Sequence, residues 1–552
     1  MRKVLNCISH ILIFAAVIPG CVLAEEPLLH ETIRKGGLQA LDWLMIGIYA
    51  GVILGIGWAY SRKQTSTEEY FLCSRNMGSF IIGISLTASI LSTISYLSKP
   101  GEMIKYGPTD LWSVVAIPLY YFAVAYLIIP AFMKLRITSA YELLETHIGL
   151  SVRLCGALIF ILTRLSWMAL LIYLASKSVV VMFGWPASVI PYVVIATGLV
   201  SVLYTTIGGL RAVVVTDMLQ FFTLMAGALF TMAIITIKMG GVGEWWPDSW
   251  MPNWKPQPLF SFDLHVRATV TGAIVYPTAY WLCTAGSDQM AIQRYLSTRD
   301  VKTARRAFLI TSLSQAVIIV LLAITGMALL GFYRSVPSYR ALGDALYTEA
   351  DYLFPNFIAT YLPAGIAGLV VSGIFAAAMS SVDSGINSVV SIISVDFIDR
   401  FKRHEHTKKH DVSLAKYLVL GIGVAIVLIS AIMDKVPGNI TEVTSKTNGL
   451  FVGPLFGLFF MALFVPYASS FGTIIGAYYG LLAAGLVAYW DVLTGDGGLS
   501  FQWITAISLV VHIFAGVLLS LLPVPENRKY AALWWIVGAI TPLVVGAVLI
   551  II

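Results

Sequence analysis

Fourteen apolar runs of membrane-crossing length follow one another along this chain. They lie at approximately 41–61, 78–98, 111–133, 154–183, 188–206, 212–237, 267–285, 306–332, 364–388, 413–433, 448–467, 472–491, 501–522 and 531–552. About 20 apolar residues cross a ~30 Å hydrocarbon layer as a helix, whereas a barrel strand needs only about 10. Inside lipid every backbone polar group must find an internal partner, so runs of this length commit the chain to helices. The expected fold is therefore an all-α integral membrane protein with about fourteen transmembrane helices. Of its 552 residues 58% are hydrophobic and only 12% charged, about half the charged share of a soluble protein. The net charge of +6 does not mark a nucleic-acid binder, because the basic residues fall in short loops on alternate sides of the spans, where they set topology. Cys7, Cys21, Cys73, Cys155 and Cys283 are scattered, which predicts neither a metal cluster nor a disulfide framework.

Residues 1–24 read as a signal peptide: Arg2 and Lys3, an apolar stretch, then Val22-Leu23-Ala24 before Glu25-Glu26. This is a basic region, a short apolar core and a small-residue cleavage site. Cleavage leaves the new N-terminus outside, so the span 41–61 runs inward and ends at Arg62-Lys63, as positive charge on the inner side requires. Arg294, Arg299, Lys302, Arg305 and Arg306, then Arg400, Lys402, Arg403, Lys408 and Lys409, then Arg528 and Lys529, are expected on the same side, in inner loops. Fourteen spans then place the C-terminus outside as well. A leader before a chain of many spans suggests a bacterial inner membrane. The loop 239–266 carries Trp245, Trp246, Trp250 and Trp254, read as an interfacial aromatic belt. His404, His406 and His410 read as part of a solvated inner loop.

The five spans of 78–238 start from the inner side, and the five of 267–467 start from the outer side. Two tandem units of odd span number are necessarily inverted, an architecture that places a binding site near the midplane at broken first helices. Residues 25–77 then form a first peripheral helix with its inner loop, and 468–552 the C-terminal peripheral helices. The breaks are expected near the middle of 78–98 and of 267–285. The second has Gly272 and Pro277 to interrupt it. The first has Thr87, Ser89, Ser92, Thr93 and Ser95, whose hydroxyls can satisfy freed backbone groups.

GIFAAAMSSVDSGIN, residues 373–387, sets Ser380, Ser381, Ser384 and Asp383 among small residues in the middle of a span. A carboxylate at bilayer depth costs about 2.5–3.5 kcal/mol on insertion scales and calls for a partner. Hydroxyls at i, i+1 and i+4 put oxygens on one side of a helix, and hard cations take oxygen ligands. The same serines can instead bond back to the carbonyl four residues before; spacing alone leaves both open. No nucleophile elbow, zinc-type histidine pair or phosphate loop is present to suggest an enzyme.

Four motifs in order carry a resemblance: Gly208-Gly209-Leu210-Arg211-Ala212-Val213 running into Thr216-Asp217-Met218-Leu219-Gln220; Asp288-Gln289 with Gln293-Arg294; Ala377-Ala378-Met379-Ser380-Ser381 leading to Asp396; and Gly453-Pro454-Leu455-Phe456-Gly457-Leu458-Phe459 leading to Gly476-Ala477. Together the chain resembles the sodium:solute symporter family over residues 41 to about 520. The resemblance implies a 5+5 inverted-repeat, LeuT-like core, alternating access, Na+ as coupling ion and no organic cofactor. It also implies a sodium site formed by the carbonyls of Ala88, Leu91 and Ala377 with the hydroxyls of Ser380 and Ser381. Asp217 with Ser384 matches a second ion site of some members. Asp383 departs from members with a neutral residue there and is read as an added ion ligand, a proton acceptor or a structural hydrogen-bond partner. Asp217 has its own alternative, an ion pair with Arg211 or another inner-loop base.

Positions that serve a sugar in family members fall here on Ile94, Ser95 and approximately Val114, which disfavours a hexose. Ser92, Thr93 and Ser95 with exposed helix amides suit a carboxylate, and Tyr280 and Trp281 are candidates to line or gate the pocket. The expected function is sodium-coupled import of a small organic solute, monocarboxylate or sugar-like, by a multi-pass carrier acting as a monomer. Proton coupling through Asp383 is the alternative, and a transporter-like sensor a further one.

Overall fold

The computed structural model describes residues 38–61, 67–135, 137–254, 258–267, 269–341, 343–401, 408–431, 440–495, 497–523, 535–538 and 540–541. The predicted leader, the histidine-bearing part of the loop at 402–407 and almost all of the expected span 531–552 lie outside these residues. Among them we number α1 (Ala40–Ser61), α2 (Ser79–Ile90), α3 (Thr93–Tyr106), α4 (Pro108–Met133), α5 (Leu150–Met182), α6 (Ile190–Met239), α7 (Val270–Ser287), α8 (Gln289–Leu296), α9 (Val301–Ser335), α10 (Ile366–Ile392), α11 (Lys408–Ser430), α12 (Ile440–Phe464), α13 (Ser470–Ala488) and α14 (Ile504–Ser520). Ten described helices are long and apolar enough to cross a membrane, and α2 with α3 forms an eleventh, bent span. The expected span 188–206 is the shorter apolar helix Ala187–Leu203, the first arm of α6. The expected span 267–285 is α7, which carries several tyrosines and threonines and is not among those ten.

The first break falls where the hydroxyl run predicts it. α2 and α3 meet at 67°, with Leu91 and Ser92 in extended conformation. No glycine or proline is needed, because local hydroxyls take up the freed groups. The Ser92 side chain accepts the Ser95 N–H at 3.2 Å as the cap of α3, and Thr87 Oγ1 donates to the Gly83 carbonyl at 2.8 Å.

The second break does not fall at Gly272 or Pro277. α7 runs helically through both, and the chain turns at Asp288, whose carboxylate accepts the Met290 N–H at 2.8 Å and starts α8. Pro277 forfeits a single intrahelical bond, which packed neighbours tolerate in a membrane helix. An aspartate cap supplies a positive reason to start a new helix. A third discontinuity divides α6 at Gly209, where φ is +60°, a region open to glycine without a Cβ penalty.

Small residues set the close approaches. A Cβ at Gly83 of α2 would lie 2.7 Å from the Ala307 carbonyl oxygen of α9, so these backbones touch directly, as is usual between membrane helices. Asp42, buried in the first turn of α1, accepts the Gly365 and Gly368 N–H groups at 2.7 and 2.8 Å. It thereby ties α1 to the N-terminus of α10, where the helix dipole favours a negative charge. Two of the four loop tryptophans are buried packing residues rather than belt residues: Trp245 lies against Gly331, and Trp254 against Gly107. Trp246 and Trp250 are exposed.

Candidate ion and solute sites

The small-residue run lies in α10 and is buried throughout: Ala377, Ser380, Ser381, Asp383 and Ser384 have at most 1% of their surface exposed. Ser381 points at the first break, its hydroxyl donating to the Ser89 carbonyl at 2.9 Å. Ala88 and Leu91 flank that carbonyl at the unwound end of α2 and are themselves buried. The hydroxyl of Ser381 and the end of α2 are thus brought together from positions nearly 300 residues apart. Ser381 does not bond back within its own helix.

One turn toward the other end of α2 lies a dense buried cluster. Asp217 Oδ2 accepts from Ser85 at 2.5 Å, Ser89 at 3.2 Å and Arg294 Nη2 at 2.9 Å, while its Oδ1 accepts from Ser380 at 2.5 Å. Arg294 Nη2 also donates to Ser89 and Ser384, both at 2.6 Å. Its Nε donates to Ser85 at 2.9 Å and its Nη1 to the Met290 carbonyl at 3.1 Å. Asp217 and Arg294 are wholly buried. The partner of Asp217 is therefore Arg294 of α8, not Arg211, which pairs with Glu69 at 2.9 Å. The motif Asp288-Gln289 with Gln293-Arg294 is explained by this placement. Gln289 bonds the Thr138 carbonyl and the Ala140 N–H, and Gln293 bonds the Phe71 carbonyl. α8 is thus pinned across the bundle on one side of the serine run.

Asp217 and Ser384 are brought to one place, but Asp383 is not with them. It turns to the first arm of α6, where it accepts a hydrogen bond from Ser201.

On the opposite side of the break a cavity of about 240 Å³ opens toward the ends of α3 and α7. Ser92, Ser95, Tyr280 and Trp281 line it. Thr93 does not; its hydroxyl donates to the Ile374 carbonyl at 2.8 Å and fastens α3 to α10. Ile94 also lines the cavity. Sequence reasoning missed the walls contributed by other helices, notably Trp167 and the pair Tyr120–Gln315, bonded at 2.7 Å. It also missed two ion pairs across the far end: Lys99–Asp110 at 2.6 Å and Arg267–Glu102 at 2.6 Å. Arg267 stacks on Tyr106 and Phe501 as well. A second, larger hollow of about 750 Å³, lined by Arg75, Glu142, Arg299 and Asp399, lies on the other side of α8.

This arrangement consists of two hollows, a plug between them, and oxygens at a broken helix. A model of the sodium:solute symporter family matches residues 70–480. The chain belongs to that family. Membership makes it a membrane transporter that couples a solute to Na+. Its sequence is 26% identical over 500 residues to the sodium/sialic acid symporter of Proteus mirabilis (strain HI4320), covering 88% of this chain and 96% of that one. It is 28% identical over 462 residues to the mouse (Mus musculus) sodium-coupled monocarboxylate transporter 1, covering 80% and 72%. A solved substrate-bound, outward-open Na+-coupled sialic acid symporter superposes with a TM-score of 0.75 at 26% identity, covering 89% of this chain and 99% of that one.

Proposed function

We propose that this symporter imports a small carboxylate, monocarboxylate or acidic-sugar-like, and that its coupling Na+ sits at the first break between α2 and α10. The observation that carries the reading is the break itself. The N-terminus of α3 opens into the 240 Å³ cavity through Ser92 and Ser95, and free N–H groups at a helix start favour an anion. On the other face of the same break, Ser381 already engages the end of α2 through the Ser89 carbonyl. A Na+ held by the carbonyls of Ala88, Leu91 and Ala377 and the hydroxyls of Ser380 and Ser381 would join α2 to α10 in the same way, so ion occupancy and the shape of the solute cavity depend on each other. Both relatives named above are carriers of carboxylates, which agrees with this polarity.

The full topology we infer is fourteen helices with both termini outside, in a bacterial inner membrane, with one chain sufficient for transport. One Na+ carried with one carboxylate moves no net charge, so a tenfold Na+ gradient, worth about 1.4 kcal/mol, supports roughly tenfold accumulation of the anion. A second Na+ would make the cycle electrogenic and add about 2.3 kcal/mol per 100 mV of potential.

Uptake into liposomes under an inward Na+ gradient tests the proposal. A panel of monocarboxylates, sialic acid, neutral sugars and amino acids is compared, each with Na+ replaced by choline. Accumulation of a carboxylate that needs Na+ and is lost in Ser381→Ala is expected. Preference for a neutral sugar would overturn the solute reading, and unchanged Na+ dependence in Ser381→Ala would overturn the ion placement.

A further inference from the structure

α10 has a second polar face, adjacent to the one that meets Asp217 and turned toward the first arm of α6. Asp383 is wholly buried there and takes one hydrogen bond, from Ser201 to Oδ1; its Oδ2 has no partner among the described residues. One turn on, the side-chain amide of Asn387, 1% exposed, has neither its oxygen nor its nitrogen satisfied. Across from it Thr205, also 1% exposed, has an unpartnered hydroxyl.

The register brings these groups together. The Ser201–Asp383 bond fixes one level of contact between α6 and α10. Val200, Phe375 and Met379 belong to one apolar cluster on the N-terminal side of that level. The next turn of each helix, at Thr205 and Asn387, therefore meets on the C-terminal side, since residues four apart stack on one face. Gln220 of the second arm of α6 and the hydroxyl of Tyr49 on α1, which face each other, complete the surroundings. The first arm of α6 and α10 thus turn unsatisfied oxygens to one buried place.

Buried polar groups in native proteins are hydrogen-bonded with few exceptions, and buried charges are paired or bind ions. No lysine or arginine pairs with Asp383 among the described residues. The titratable groups facing its surroundings are Tyr49 on α1 and Asp217 on the second arm of α6. The first arm of α6 carries no Asp, Glu, Lys, Arg or His, and α11 offers Lys416, half-buried, among its described side chains. What the place lacks is one positive charge surrounded by oxygen ligands.

We propose that Asp383, Asn387, Ser201 and Thr205 form a cation site of their own, separate from the Asp217–Arg294 cluster and from the coupling site at the break, taking a single monovalent cation. A proton carried on the carboxyl and a Na+ shared by the four side chains are its two sources.

Equilibrium binding of radioactive Na+ to the purified, solute-free protein, repeated from acidic to alkaline pH, separates them. Ser381→Ala serves as the reference for the coupling site. If Na+ occupies the new site, Asp383→Asn binds one Na+ fewer per chain than the parent, and Ser381→Ala loses a different one. If a proton occupies it, the Na+ count is unchanged, but the parent takes up one proton per chain as the pH falls and Asp383→Asn does not. Thr205→Val and Asn387→Ala leave the carboxyl in place and keep the question open to decision should Asp383→Asn fail to fold. Each is expected to weaken Na+ binding roughly tenfold, or to displace the proton uptake by about one pH unit. Parent-like Na+ stoichiometry together with parent-like proton uptake in the folded variants would overturn the proposal. Failure of the symport reading shows separately, as Na+ binding indifferent to Ser381→Ala.

Discussion

α10 meets two buried aspartate environments on adjacent faces, and they are built on opposite principles. Asp217 reaches α10 from α6 and is saturated: three serines and a guanidinium surround it, and the guanidinium is itself held by serines and a carbonyl. Asp383 sits on α10 itself and has one serine. The first is a closed electrostatic unit in which the protein supplies its own cation. The second is an open one. Burial alone therefore does not mark an ion site; the informative quantity is whether the positive charge and the donors come from the chain. An ion at Asp217 would have to displace or share with Arg294, whereas Asp383 has unpaired oxygens around it.

The comparison is most exposed at Arg294. Arg294→Ala strands a wholly buried carboxylate, for which a loss of about 3–5 kcal/mol in unfolding free energy is expected, read as denaturant unfolding in detergent. Adding Asp217→Ala should return part of that loss, because the unpaired charge is removed with its partner. A double variant as unstable as the sum of the two singles would mean that they do not form a unit.

Asp42 provides an intermediate case, a buried carboxylate whose partners are helix N–H groups. Asp42→Ala leaves the Gly365 and Gly368 N–H groups without an acceptor, at about 1–3 kcal/mol. Faster hydrogen exchange at the start of α10 is the readout. Exchange raised only at the far end of α10 would show that Asp42 does not tie down the start of that helix.

Asp383→Asn, measured without Na+, should change stability by no more than about 1 kcal/mol, since it nearly preserves shape and strands no lysine or arginine. A loss as large as that of Arg294→Ala would erase the distinction between the two faces.

The smallest effect concerns a carboxylate outside the spans. Arg400, and then Arg153, hold Glu145 below its ordinary range. A depressed carboxylate contributes stability above its unfolded value, about 4.3, and that stability is lost as the pH falls through the lower folded value. Glu145→Gln should therefore flatten the acid side of the stability–pH curve slightly, and leave it unchanged near neutrality apart from the lost pair.

The class of fold, the order of the spans and the first helix break are legible along the chain, because hydropathy over twenty residues and hydroxyl support of an unwound turn are local properties. So is the presence of an oxygen-rich stretch at 380–384. The second break falls at Asp288 and not at Pro277 because an aspartate that caps and starts a helix, also a local feature, weighs more here than a proline that merely omits one bond. Partnership is what the chain could not reveal. Asp217 and Arg294 are 77 positions apart, and their meeting requires α8 to enter the bundle at a particular depth and rotation. Whether Asp383 faces Asp217 or Ser201 depends on how α10 is turned about its axis between α1, α5 and α6. Thr93 left the cavity for the Ile374 carbonyl for the same reason. Helix existence is set by the residues within each segment and the lipid around it. The direction in which a buried side chain points is set by packing against segments far away in sequence, and that was decided only by the tertiary structure.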